Sequence, residues 1–88
     1  MYRLLIADDE MIERKVLFKT LSQNLKGQCE IFQAENGREA LEIYEKEKIQ
    51  IAILDIEMPG MSGIDFLKQL LPVHPIPVIL VSSLNLRV

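Results

Sequence analysis

Acidic and hydroxyl side chains follow three apolar segments of this chain, and side chains of these types could together handle a phosphoryl group. The residues that follow the segments are Asp8, Asp9 and Glu10, then Asp55 and Glu57, then Ser82 and Ser83. Ionised carboxylates that lie close together repel one another unless a cation binds them. Carboxylate oxygens suit Mg²⁺ better than zinc, which prefers histidine and cysteine. Mg²⁺ beside a carboxylate nucleophile and a hydroxyl favours phosphoryl transfer.

Each of these features also has an ordinary structural explanation. Asp8 or Asp9 could simply cap the N-terminus of a following helix, where a carboxylate suits the helix dipole. The Met-Pro-Gly sequence at residues 58–60 is a turn signal, and a serine pair after a strand is typical of a loop. The occurrence of all three at successive segment ends favours the functional interpretation, provided that those ends meet in the fold.

The elements that would bring these residues together alternate between strand and helix. Apolar segments predict strands over residues 2–8, 29–34, 49–55 and 78–83, and helical spacing predicts helices over residues 10–25, 38–48 and 64–71. This order predicts an α/β fold, a doubly wound parallel sheet with helices on both faces and right-handed crossovers. Ligands of such sheets bind beyond the carboxyl ends of the strands, which is where the acids and serines are expected to lie.

The sequence also indicates local features of the first two helices. The apolar positions of the first helix predict an amphipathic helix, and they are Ile12, Val16, Leu17, Leu21 and Leu25. The second helix follows a Glu-Asn-Gly turn, in which Gly37 can take a positive φ.

Composition argues against several other classes of protein. The 88 residues carry a net charge of -3, and their lysines and arginines form no block, so neither a nucleic-acid surface nor an anionic-membrane surface is expected. No apolar run reaches the roughly 18 residues of a membrane span. Cys29 is the only cysteine, which excludes an internal disulfide and fits a reducing compartment. We therefore expect a cytoplasmic globular domain.

Four blocks of the sequence resemble the receiver domain of bacterial response regulators, the phosphate-accepting half of two-component signalling. The blocks are LLIADDE, AENGREALE, IAILDIEMPGMSGIDFLKQL and IPVILVSS, and the resemblance runs from residue 2 to residue 83. The third block is the most specific, because it places Met-Pro-Gly-x-x-Gly three residues after a strand-terminal aspartate. Within the family, the chain is most similar to receivers that carry an AraC-type DNA-binding output domain.

This resemblance implies a role for each candidate residue. Asp55 matches the carboxylate that takes a phosphoryl group from a phosphohistidine of a histidine kinase. Asp9, Asp55 and the backbone carbonyl of Glu57 match the Mg²⁺ ligands, and Asp8 matches a second acid that usually reaches the metal through water. Ser82 matches the hydroxyl that holds the phosphoryl group and responds to phosphorylation.

The chain departs from the family pattern after its fourth strand. The family sheet has the strand order 2-1-3-4-5, whereas this chain ends at Val88, so we expect a flavodoxin-like sheet of order 2-1-3-4 in one incomplete domain over residues 1–88. The fifth strand, the last helices and the family's phosphate-binding lysine are expected to be missing. The fourth strand would then be an uncovered edge, through which we expect self-association.

The sequence therefore predicts a phosphoacceptor for a histidine kinase, with Mg²⁺ as cofactor, which regulates an output domain of transcriptional type. Such a domain phosphorylates and dephosphorylates itself and is not an enzyme in the usual sense. Two alternatives stay open at this point. One is a receiver-like fragment that assembles without phosphotransfer. The other is a Mg²⁺-dependent phosphatase of the haloacid-dehalogenase type, although Glu57 stands where that family requires a second aspartate.

Overall fold

The computed structural model of the protein describes residues 1–58, 63–70 and 76–81. Strands and helices alternate along these residues. The strands are β1 (Tyr2–Ala7), β2 (Cys29–Ala34), β3 (Ile51–Asp55) and β4 (Val78–Val81), and the helices are α1 (Met11–Asn24), α2 (Gly37–Lys46) and α3 (Gly63–Leu70). Each observed element overlaps the element that the sequence predicts, with ends that differ by at most two residues.

The strands form one parallel sheet in the order β2-β1-β3-β4, as predicted. β1 lies in the middle, where Tyr2 to Ala7 pair with Cys29 to Ala34 on one side and Leu4 to Ala7 pair with Ile51 to Leu54 on the other. β1 and β3 are continuous apolar runs because helices cover both faces of a parallel sheet. The predicted flavodoxin-like fold with the order 2-1-3-4 is confirmed for this part of the chain.

The two faces of the sheet are covered unequally. One face carries a core of Leu5, Ala52 and Leu54 that packs against Ala40 of α2 and the fully buried Phe66 of α3. The rings of Tyr44 and Phe66 meet edge to face, with centroids 6.1 Å apart, and this contact joins α2 to α3. Ala40 and Phe66 are therefore buried between the helices and the sheet.

The opposite face has a smaller core, and α1 packs on it without burying any residue completely. Leu4, Ile6 and Ile53 form this core, with Leu17 and Leu21 of α1 packed against it. Ile12 and Val16 are 73% and 58% exposed, so the prediction of one buried stripe is wrong for these two positions. They lie on the outer side of the helix, because residues spaced by three and four from Leu17 and Leu21 are the ones that face the sheet.

Two local possibilities that the sequence allows are not realised. Gly37 is the first residue of α2 and is buried, whereas the positive φ among the described residues is at Gly27, with φ 71°. Asn36 caps α2, since its side chain accepts a hydrogen bond from the Glu39 backbone N–H at 2.8 Å. α1 has Glu10 as its N-cap residue and no side-chain cap, so neither Asp8 nor Asp9 performs that role.

Several predicted residues lie outside the described part of the chain, namely Pro59, Gly60, Ser82 and Ser83. No helix among the described residues is long and apolar enough to cross a membrane.

Candidate metal centre

The sheet brings the first and third acidic strand ends together. β1 and β3 are parallel neighbours in which Ala7 pairs with Leu54, so the residues that follow, Asp8 and Asp55, lie side by side. One carboxylate oxygen from each of Asp8, Asp9 and Asp55 lies within 4.8 Å of the other two. Of the predicted site residues, these three are thus the ones whose carboxylates lie close together in the structure.

Two of the three carboxylates are buried, and backbone amides hold one oxygen of each. Asp55 is 2% exposed and Asp8 is 4% exposed. Asp55 Oδ1 accepts a hydrogen bond from the Glu57 N–H at 3.0 Å, and Asp8 Oδ1 accepts one from the Glu10 N–H at 2.9 Å. Asp55 Oδ2 is buried and has no hydrogen-bond partner among the described residues. A buried polar atom without a partner is costly, so this oxygen marks a place where a ligand would stabilise the fold.

Burial also sets the electrostatics of the pair. Loss of solvent around the carboxyl groups raises the pKa of Asp8 and of Asp55 above the ordinary value of 3.8. The Glu10 and Glu57 amides act in the opposite direction, because they stabilise the ionised forms. Nearby negative charge raises both pKa values further, from Glu13 at Asp8 and from Asp8 at Asp55. A bound cation would favour ionisation of both groups.

The donor set fits a small, hard cation. The assembled ligand atoms are carboxylate oxygens, with neither histidine nor cysteine in the group. Asp9 is exposed, so one side of the group is open to water. Few protein oxygens together with access for water are typical of Mg²⁺ sites, whereas zinc prefers nitrogen and sulfur ligands.

Glu57 lies at the margin of this site. The Glu57 side chain is exposed and is not part of the group of three carboxylates, while its amide holds Asp55. The predicted metal ligand is the Glu57 backbone carbonyl, and that assignment stays a prediction. Ser82 lies outside the described residues, but it follows Val81, which pairs with Asp55 in the sheet and accepts a hydrogen bond from the Ile56 N–H at 2.9 Å.

Arg14 is a residue of this region that the sequence analysis missed. Its guanidinium Nη1 donates a hydrogen bond to the backbone carbonyl of Asp8 at 2.6 Å. One signal in the sequence could have revealed it. A cation at the end of a helix's first turn is unfavourable to the helix dipole, so a basic residue at this position suggests a partner outside the helix.

Comparison with known proteins identifies the family. The family model described as the response regulator receiver domain matches residues 4–86. A protein-glutamate methylesterase/protein-glutamine glutaminase of Carboxydothermus hydrogenoformans is 42% identical over 84 residues, which cover 96% of this chain and 24% of that protein. The curated relatives that the chain matches are much longer, and the chain spans less than a quarter of their length.

Solved structures agree with this match. The response regulator domain of Thermotoga maritima CheB is 34% identical, with a TM-score of 0.84 over 97% of this chain and 63% of that chain. A two component transcriptional regulator AraC from Clostridium phytofermentans is 30% identical, with a TM-score of 0.81 over 97% of this chain and 69% of that chain. The similar proteins therefore include a methylesterase and a transcriptional regulator, so the type of output domain is not common to them.

Proposed function

The chain belongs to the response regulator receiver domain family, and we propose that it accepts a phosphoryl group from a histidine kinase on Asp55. The observation that carries this proposal is the buried Asp55 carboxylate, whose Oδ2 has no partner among the described residues while its Oδ1 is held by the Glu57 amide. One oxygen is thus fixed and the other is available as a nucleophile, at the end of the sheet where ligands of this fold class bind.

In the proposed reaction, Asp55 Oδ2 attacks the phosphorus of the donor and forms a new phosphorus–oxygen bond. The bond between phosphorus and the donor nitrogen breaks, and the histidine keeps that electron pair. The product is an acyl phosphate on Asp55, which water later hydrolyses. The domain is thus the substrate of its own phosphorylation and dephosphorylation, and this is why we do not class the chain as an enzyme.

Asp8, Asp9 and Asp55 would hold Mg²⁺, together with the Glu57 carbonyl. The metal would supply positive charge to offset that of the phosphoryl oxygens. The chain's own residues do the rest: the Glu57 amide orients Asp55, and burial of Asp8 and Asp55 limits access of water to the nucleophile. We propose that the Ser82 hydroxyl contacts the phosphoryl group, since Val81 before it pairs with Asp55.

Phosphorylation is tested by incubating the 88-residue chain with acetyl phosphate and Mg²⁺ and measuring its intact mass. We expect the wild type to gain the mass of one phosphoryl group and Asp55→Asn to gain none. Asp65→Asn is the matched control, because it makes the same chemical change at an exposed position of α3. An unlabelled wild type, under conditions that label a full-length receiver, would contradict the proposal.

We propose as a second function that the β4 edge pairs with a second copy of the chain. Among the described strands β4 pairs with β3 alone, and Ile79 in its middle is 55% exposed. A lysine on an edge strand opposes such pairing. Light scattering should therefore show smaller particles for Ile79→Lys than for the wild type, while Ile64→Lys at an exposed position of α3 should behave as the wild type. A monomeric wild type at high concentration would refute this second function.

The output that this receiver regulates stays a prediction. The AraC regulator supports a transcriptional output, and the curated methylesterases support a catalytic one. Methylesterase activity is not proposed for this chain, because the chain spans less than a quarter of those proteins.

A further inference from the structure

The turn between β1 and α1 carries two of the three carboxylates, and Asp8 is held at three of its atoms. Its N–H donates to the Ala34 carbonyl of β2 at 3.0 Å, which continues the β1–β2 ladder by one residue. Its Oδ1 accepts from the Glu10 N–H at 2.9 Å. Its carbonyl accepts from Arg14 Nη1 at 2.6 Å, and this is the contact that joins the turn to a side chain of α1.

Arg14 is well placed for this hydrogen bond but is unfavourably placed with respect to the dipole of its own helix. Arg14 closes the first turn of α1, where its backbone N–H donates to the Glu10 carbonyl at 2.9 Å. A positive charge there opposes the helix dipole. A charge-assisted hydrogen bond to a carbonyl is stronger than a neutral one, and the guanidinium presents its donors in a fixed plane. The Asp8 carbonyl is therefore restrained in both distance and direction.

We propose that Arg14 is a positioning residue for the metal centre, which keeps the β1–α1 turn in the conformation that places Asp8 and Asp9 beside Asp55. This inference rests on the proposed Mg²⁺-dependent function. Arg14 acts through the Asp8 backbone and does not touch the carboxylate oxygens that would bind the metal. Residues that orient metal ligands in this way commonly change metal affinity by about tenfold or more when they are replaced.

A purely electrostatic role for Arg14 predicts the opposite result. Arg14 is a cation beside a cation site, so removing its charge alone would strengthen Mg²⁺ binding. Removing a positioning contact would weaken binding, because the turn would sample conformations in which the carboxylates do not converge. The sign of the change in affinity therefore separates the two roles.

The experiment compares Arg14→Met with Lys15→Met by isothermal titration of Mg²⁺. Both changes remove one positive charge from neighbouring positions of α1 and retain an unbranched side chain, while Lys15 is exposed. We expect the Mg²⁺ dissociation constant of Arg14→Met to rise roughly tenfold and that of Lys15→Met to stay equal or fall. Arg14→Lys should bind more tightly than Arg14→Met, because an ammonium still donates to a carbonyl. Equal affinities for Arg14→Met and Lys15→Met would overturn the proposal.

A measurement without metal separates this proposal from the proposed function. Exchange of the Glu10 amide hydrogen reports the bond from Glu10 to Asp8 Oδ1. We expect faster exchange in Arg14→Met than in Lys15→Met, and equal rates would overturn the positioning role. If the wild type binds no Mg²⁺, the proposed function fails, and the exchange rates still decide whether Arg14 holds the turn.

Discussion

At the amino end of the sheet Arg3 of β1 is paired with two glutamates, whereas at the carboxyl end Asp8 and Asp55 lie together without an ion pair to any described residue. Arg3 bonds Glu30 at 3.2 Å and Glu47 at 2.6 Å, and its guanidinium lies 5.1 Å from the centre of the Phe32 ring. Both ends belong to the same buried strand and its neighbours. At the amino end, the charged side chains therefore join neighbouring elements, whereas at the carboxyl end the carboxylates stay available to bind a ligand.

This contrast shows which polar groups of a small domain are structural. Arg3 joins β1 to β2 through Glu30 and to the residue after α2 through Glu47, and its backbone also exchanges hydrogen bonds with Gln50. Asp55 instead keeps one oxygen buried and unpartnered among the described residues. Arg3 Nε is also buried without a hydrogen-bond partner, so the difference lies in the counter-charges. Arg3 is paired with two glutamates, whereas Asp8 and Asp55 form no ion pair with a described residue, and a buried charge without a counter-charge points to function.

The largest expected effect is stabilisation by Mg²⁺ at the carboxyl end. At a concentration about 100 times its dissociation constant, Mg²⁺ should raise the free energy of unfolding by about 2.7 kcal/mol, because it binds the folded form alone. Urea unfolding with and without Mg²⁺ measures this change. Asp9→Ala should lose most of it, since Asp9 is one of the three converging carboxylates. If Mg²⁺ left the stability of the wild type unchanged, the difference between the two ends of the sheet would not indicate a metal site.

The second-largest expected effect is the change in stability when Asp55 is replaced, measured in the absence of metal. Asp55→Asn removes a buried charge beside Asp8 and should raise the free energy of unfolding by about 1 to 3 kcal/mol, since two buried carboxylates no longer repel each other. Urea unfolding of the variant and the wild type in the presence of a chelator measures this change. A destabilised Asp55→Asn protein would place Asp55 among the structural charges.

At the amino end of the sheet, replacing the charged residue should change the free energy of unfolding in the opposite direction. Arg3→Met should lower the free energy of unfolding by about 1 to 2 kcal/mol, because it removes two partly exposed ion pairs and the contact with Phe32. Arg38→Met, at an exposed position of α2, provides the control for loss of one charge. If Arg3→Met were as stable as this control, the amino end would not be a structural charge site.

The smallest expected effect is the dependence of stability on pH. The raised pKa values of Asp8 and Asp55 mean that the folded form binds protons more tightly than the unfolded form. Their stabilising contribution is fully present below the ordinary value of 3.8 and is lost as pH rises through the raised pKa values. The advantage of Asp55→Asn over the wild type, measured without metal, should therefore shrink as pH falls from neutral. A constant advantage would argue against a raised pKa.

The alternation of apolar strands with helices was sufficient to predict that Asp8, Asp9 and Asp55 meet, since parallel strands end at one edge of the sheet. The strand order was predicted from the resemblance to receiver domains, because alternation alone does not specify an order. The face of α1 was harder to predict, because helical spacing marks Ile12 and Val16 as apolar without showing what covers them. Arg14 was missed because its contact runs from a helical side chain back to a backbone carbonyl. A basic residue in the first turn of a helix suggests a partner outside the helix, but it does not identify that partner.

The central position of β1 also has a kinetic consequence. β1 pairs with β2 and with β3, and Asp8 meets Asp55 only through the second of these pairings. In an unfolded chain the two carboxylates are far apart, so their repulsion arises only when β3 docks. Mg²⁺ that binds both residues acts on the docked state and should chiefly slow the departure of β3. Metal binding would then lower the unfolding rate of the domain and leave its folding rate almost unchanged.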